Sequence, residues 1–127
     1  MSFKWGKKSK DLLSTCDKRL QLLANEMLKS SDFDLTITAG YRGEEEQNWA
    51  YVNGKSKAKF GQSKHNTFPS QAIDICPCPI NWDTNDIRWW KMIALAYEVA
   101  RKNNISIRSG AFFTGLADYP HIELIGE

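Results

Sequence analysis

Cysteine and histidine are both scarce in this sequence, and each scarcity excludes something. The cysteines are Cys16, Cys76 and Cys78. An odd number without framework spacing argues against a disulfide scaffold. A Cys76–Cys78 bridge would also have to close a very tight loop across Pro77. Reduced thiols and a cytosolic site of synthesis are the simpler expectation. No apolar run approaches the roughly 20 residues that span a bilayer, so no stable membrane association is expected. The basic start, Lys4 to Lys8, is not followed by an apolar stretch and lacks the form of a signal peptide. A net charge of +2 is too small to point to nucleic acid. Repeats, low-complexity tracts and linkers are missing. The 127 residues are expected to form one domain, 1–127, with residues 1–8 as a flexible N-terminal arm.

What is present is a mixture of helical and strand periodicities. Ser9 can cap a helix that carries Leu12, Leu13, Cys16, Leu20, Leu23 and Met27 at helical spacing, to about Lys29. Asp34 to Ala39 alternates as a half-buried strand. Glu44, Glu45 and Glu46 favour a second helix start, and Asn53-Gly54 a stop. Residues 54–64 carry Lys55, Lys57, Lys59 and Lys64, either as a solvated loop or as a rim meeting an anionic polymer. A short strand is expected over Ala72 to Cys76, which Pro77 and Pro79 end or keep at an edge. A third helix is expected over about Asn85 to Lys102. Asp83 or Thr84 would be its cap, and Ile87, Trp90, Ala94 and Tyr97 its apolar stripe. Strands follow at Ile105–Arg108 and from His121. Five tryptophans predict a packed core or an aromatic-lined groove. The order of elements is not a strict βαβ alternation. It predicts an α+β fold, a small, mainly antiparallel sheet with helices packed on one face.

The two histidines, His65 and His121, stand in Ser63-Lys64-His65…Ala72-Ile73-Asp74 and Asp118-Tyr119-Pro120-His121-Ile122-Glu123-Leu124. Two imidazoles and a carboxylate suit a divalent metal of borderline softness, zinc above all, and three protein ligands leave one position for water. Strand alternation puts Asp74 and His121 on polar faces, with Ile73, Ile75, Ile122 and Leu124 opposite. If both strands share a sheet, the two ligands project together. Asp118, three residues before His121, is placed to act as a base. Each feature also has a plainer reading. His65 can be a capping residue, Asp74 a buried paired acid and Asp118 a turn residue. Cys76-Pro77-Cys78 offers a competing structural zinc site, although such sites are normally closed by four ligands.

With both motifs in place, the chain resembles the zinc D,D-peptidase group of VanX- and VanY-type enzymes, whose fold is shared with the Hedgehog signalling domain. Within that group it is most similar to small phage endolysins that act as L-alanyl-D-glutamate peptidases. Gly40-Tyr41-Arg42, Glu46-Gln47-Asn48 with Tyr51 and Gly54-Lys55-Ser56, the His65–Asp74 segment and the Asp118–Leu124 segment carry the likeness.

The resemblance implies one Zn2+ per chain on His65, Asp74 and His121, with Asp118 as catalytic acid and base. Arg42 would stabilise an oxyanion or hold a substrate carboxylate. Ser63 and Glu123 are supporting candidates, Glu123 either orienting an imidazole or making an ordinary salt bridge. The expected substrate is the bacterial peptidoglycan stem peptide, cut at L-Ala–D-Glu by a monomer. It would be made in the host cytoplasm and reach the wall after release by a holin. The alternatives are a D-Ala-D-Ala carboxypeptidase or dipeptidase on the same scaffold, and a non-catalytic zinc-containing wall-binding module. Two features depart from the family. The His65–Asp74 loop is longer than in many members. Arg108-Ser109-Gly110-Ala111-Phe112-Phe113 lacks the acidic residue and tryptophans that phage relatives often carry there.

Overall fold

The computed structural model describes residues 3–126. Four helices, α1 (Lys7–Leu13), α2 (Lys18–Ser30), α3 (Glu44–Val52) and α4 (Arg88–Lys102), surround four strands, β1 (Asp34–Ala39), β2 (Ala72–Cys78), β3 (Ile107–Ser109) and β4 (His121–Leu124). The strands form one antiparallel sheet in the order β1-β2-β4-β3. This is the expected α+β class.

The register that matters joins β2 to β4. Asp74 lies opposite His121, Ile73 opposite Ile122 and Ala72 opposite Glu123. Directly paired residues share a face, so Asp74 and His121 project together. Ile73, Ile75, Ile122 and Leu124 enter the core with Leu20, Leu23, Met27, Trp89 and Met92 from α2 and α4. Each such aliphatic side chain contributes about 1.5–3 kcal/mol on full burial. The sheet therefore spends its apolar side on stability and its polar side on the site.

β2 continues through Pro77 to Cys78, so of the two expectations for the prolines it is the edge position that holds. The reason is that β4 pairs with β2 only as far as Asp74. Beyond Ile75, whose N–H still reaches Pro120 O (3.0 Å), β2 has β1 alone as a neighbour, so a residue without an N–H costs the ladder nothing on the open side.

The expected first helix is two. Thr15 Oγ1 donates to Leu12 O (2.6 Å) and Ser14 Oγ to Asp11 O (2.6 Å), offering the backbone an alternative to helix. Asp17 then caps α2 by accepting from Arg19 N (2.9 Å). Ser9 is not a cap. It lies buried inside α1, and its Oγ accepts from Ile37 N (3.0 Å), so that α1 covers the outer edge of β1. Residues 3–6, expected as part of a free arm, lie against α2. Phe3 and Trp5 pack on the core, and Trp5 Nε1 donates to Asn25 Oδ1 (2.9 Å). Met1 and Ser2 of that arm fall outside the described residues.

α4 starts at Arg88, later than expected, because Asp83 and Asp86 make local turns. Their Oδ1 atoms accept from Asn85 N (2.9 Å) and Arg88 N (3.0 Å). Its buried stripe is Trp89, Met92, Ile93, Ala96, Val99 and Ala100. Ile87, Trp90 and Ala94 are exposed instead, because the stripe with long aliphatic side chains wins the core. Trp90 packs sideways on Tyr119, with ring centroids 5.4 Å apart. After α4, Asn104 takes a left-handed conformation (φ 57°) and Ile105 N returns to Ala100 O (2.9 Å). Ile105 thus closes the helix, and the strand begins two residues later than the apolar pattern suggests.

Candidate active site

His65 sits on a short 3₁₀ turn, Lys64–Asn66, held by a reciprocal cap. Ser63 Oγ accepts from His65 N (3.2 Å), and Asn66 Oδ1 accepts from Ser63 N (3.1 Å). Ser63 therefore acts on the backbone that carries His65. The ring is buried, and its Nδ1 lies 2.7 Å from Gly40 O. A carbonyl can only accept, so Nδ1 carries the proton and Nε2 presents a lone pair. Gly40 has to be glycine for its carbonyl to reach this place, since a Cβ would stand 2.5 Å from Leu12 O.

His121 is oriented by a different partner. Its Nε2 donates to Glu123 Oε1 at 2.8 Å, two residues along the same strand face. The carboxylate–histidine pairing that fixes a metal-ligating imidazole is thereby in place. The inner nitrogen, Nδ1, faces His65 Nε2 (3.2 Å) and Asp74 Oδ1 (3.5 Å), and His65 Nε2 lies 3.1 Å from the same oxygen. These three candidate donor atoms all lie within 4.8 Å of one another, the one such cluster among the described residues.

Such a cluster calls for a positive charge. Burial opposes charge on His121, but hydrogen bonds to Asp74 and Glu123 prevail and lift its pKa to about 9. Burial likewise works against the Asp74 carboxylate, yet the two histidines beside it hold it below the usual carboxylate range. The pull that places a proton here favours a divalent cation equally, and two imidazole nitrogens with a carboxylate oxygen fit one.

Around the cluster opens a cleft of about 510 Å³. Every residue singled out from the sequence lines it: Arg42, Ser63, His65, Asp74, Asp118, His121 and Glu123. Asp118 Oδ2 lies 3.9 Å from His121 Nδ1, with the side chain partly open to the cleft. Burial raises its pKa, the Asp74 charge adds to the rise, and His121, His65 and Arg42 oppose it. Arg42 Nη2 stands 3.8 Å from Asp74 Oδ2, and Nη1 donates to Gln47 Oε1 (3.1 Å). It pairs with these groups and with none of the nearby glutamates of α3.

Three further residues shape the site without having been assigned a part from the sequence. Gln47 is fully buried. It donates through Nε2 to Ser56 Oγ (3.1 Å) and Ala58 O (2.5 Å), tying the guanidinium of Arg42 to the loop after α3. Its signal is a polar residue on the inward side of α3, directly after the glutamates. Gly110 seats the Asp118–His121 turn. Its carbonyl accepts from Asp118 N (2.8 Å), and a Cβ there would press on the Asp118 backbone and stand 2.8 Å from His121 Cβ. Phe113 packs against the His121 ring with centroids 5.3 Å apart. The Cys76-Pro77-Cys78 alternative finds no third ligand among the described residues. Cys76 Sγ instead lies 3.8 Å from Thr38 Oγ1, inside the sheet.

Comparison with known proteins bears on this arrangement as a whole. The family model of phage L-alanyl-D-glutamate peptidases matches residues 1–125. The L-alanyl-D-glutamate peptidase of Escherichia phage T5 is 36% identical over 124 residues, covering 94% of this chain and 88% of that protein. In fold, the chain is similar to the crystal structure of the Serratia marcescens L-Ala D-Glu endopeptidase ChiX. The TM-score is 0.81 at 20% identity, over 96% of this chain and 90% of that one. With a match from the first residue to within two of the last, the chain belongs to the phage L-alanyl-D-glutamate peptidase family.

Proposed function

We propose that this chain is a zinc-dependent peptidoglycan hydrolase that cuts the L-Ala–D-Glu bond of the stem peptide as a phage endolysin. The observation that carries the reading is the convergence of His65 Nε2, Asp74 Oδ1 and His121 Nδ1, with both histidines fixed from behind by Gly40 O and Glu123. Structural zinc sites close with four protein ligands, whereas three leave the open position a hydrolytic site needs. Zinc held there would supply Lewis acidity, acidifying water and polarising the scissile carbonyl.

The protein's own groups then divide the work. Asp118 takes a proton from the attacking water at its carboxylate and returns it to the amine that leaves with D-Glu. Its raised pKa suits it to holding a proton between those two transfers. Arg42, held by Gln47 and lining the cleft, offers its remaining N–H donors to the carbonyl oxygen as that oxygen gains negative charge. Gly40 O and Glu123 keep the two imidazoles in their tautomers, and Ser63 holds the backbone turn that carries His65.

Among the described residues no helix is long and apolar enough to cross a membrane. Passage to the wall through a separate holin, and action as a monomeric single domain, belong to the same proposal.

Mass spectrometry of fragments released from peptidoglycan of known stem peptide tests it. New N-terminal D-Glu is the expected result, abolished by chelator. Loss of terminal D-Ala instead would replace the reading with a carboxypeptidase. Binding without any release would leave only a wall-binding module.

A further inference from the structure

The cleft carries more positive charge than the chemistry uses. Arg42, Lys55, Lys57, Lys64 and Arg108 line it against Asp74, Asp118 and Glu123, before any metal is counted. Two of these cations are committed. Arg42 is tied to Gln47 and Asp74. Lys64 Nζ hydrogen-bonds Leu124 O and faces Glu123 Oε2 at 3.8 Å. Lys55 and Lys57 stand on the irregular segment after α3.

Arg108 differs from all four. It is on β3, directly opposite Glu123, so its backbone is set by the sheet. Its guanidinium lies over the Phe113 ring, 4.7 Å from the centroid, and that ring rests in turn on His121. Stacking uses the flat face of a guanidinium and leaves its N–H edge for a planar anion. Among the described residues that edge has no hydrogen-bond partner and no ion pair. The Glu123 carboxylate nearest in the sheet already takes the His121 proton at one oxygen and faces Lys64 with the other.

A D-Glu residue after the scissile bond has two carboxyls. One continues the chain, and the other is free whichever way the chain runs. We propose that Arg108, its guanidinium held over the Phe113 ring, is a specificity residue that receives this free carboxylate through N–H groups left without a protein partner. The proposal rests on the L-Ala–D-Glu reading above. It gives the segment from Arg108 to Phe113 a part in choosing the substrate. It also predicts discrimination against a chain-continuing D-Ala in that position, whose single carboxyl is used by the chain.

The test compares a soluble stem peptide bearing free D-Glu with the same peptide amidated at that carboxyl. Wild type, Arg108→Gln and Arg108→Lys are measured after equal zinc content and equal thermal unfolding have been verified. A charge-assisted hydrogen bond is worth a preference for the acid of about tenfold to a hundredfold in kcat/KM. In Arg108→Gln this ratio should fall to about one, mainly through KM. Arg108→Lys should keep only part of it, because a point charge reproduces neither the stack nor the fork. An acid preference that survives Arg108→Gln overturns the proposal, as does an equal loss on both peptides, which would mark Arg108 as merely structural. If wild type cuts neither peptide, the peptidase reading itself falls, a result visible before any mutant is compared.

Discussion

The two walls of the cleft are built on opposite principles. On the sheet wall, each ligand atom has a partner behind it. Gly40 O stands behind His65, Glu123 behind His121 and both histidines beside Asp74. On the wall formed by the loops, Lys55 and Lys57 follow α3 and Thr114 and Leu116 follow the Gly110 turn, outside regular strands. Two of the three candidate ligands, Asp74 and His121, thus stand on strands fixed by core burial, and the third, His65, on a capped turn beside them. The surface that meets the rest of the substrate is left to segments whose side chains can change without disturbing the sheet.

The sharpest way to break this contrast is to remove a partner from the fixed wall. His121→Ala leaves two ligands and should lose both zinc and activity, as chelator should in the wild type. Full zinc by elemental analysis in that mutant would refute the ligand assignment. Next comes Asp118→Asn, which should fold and hold zinc yet lose at least about 100-fold in kcat, the scale of a general base. Near-normal turnover would move the base elsewhere, with Glu123 the next group to test.

Arg42→Ala should cost a similar or smaller factor, about 100-fold, from the loss of one oxyanion donor. The contact strengthens in the transition state, so kcat should fall more than KM rises. Arg42→Lys should restore little of the loss. A rise in KM at unchanged kcat would make Arg42 a ground-state carboxylate clamp. That outcome would compete directly with the part assigned to Arg108.

Much of the fixed wall was legible because strand alternation is a strict code. Asp74 and His121 each sit opposite aliphatic neighbours in a four-residue pattern, so pairing the strands suffices to bring them together. The antiparallel sheet and α3 with its acidic first turn were legible for similar reasons. The break at Ser14–Asp17 was hidden because Cys16 and Leu20 keep the helical period across it. Only the hydroxyls of Ser14 and Thr15 and the cap at Asp17 betray it. The stripe of α4 was ambiguous because Trp89 and Trp90 begin two interleaved apolar sets. Gly110 was invisible as part of the site because its work is done through a missing Cβ, and Gln47 left only the faint signal of a polar residue on the inward side of α3.

A smaller effect tests the support behind the ligands. Glu123→Ala should weaken zinc binding by about 10- to 100-fold, measured by competition with a chromogenic chelator, because the His121 ring loses the acceptor that sets its tautomer. Glu123→Gln keeps an acceptor and should lose less. Unaltered affinity in both would reduce Glu123 to an ordinary partner of Lys64.

The smallest effect is expected at the far end of β2, where the sheet has no chemistry to support. Burial pushes the Cys16 thiol up to about 11 and the Cys76 thiol up to about 12, so both stay protonated and unreactive near neutral pH. Cys78 is only partly buried, so a thiol reagent added to the native protein should label one cysteine, identified by peptide mapping as Cys78. Unfolding should release all three. Cys76→Ser combined with Cys78→Ser should retain zinc and activity, at a modest cost in stability from replacing the buried Cys76. Loss of metal in that double mutant would transfer the site to the cysteine pair and break the division between a chemical and a purely structural half of β2.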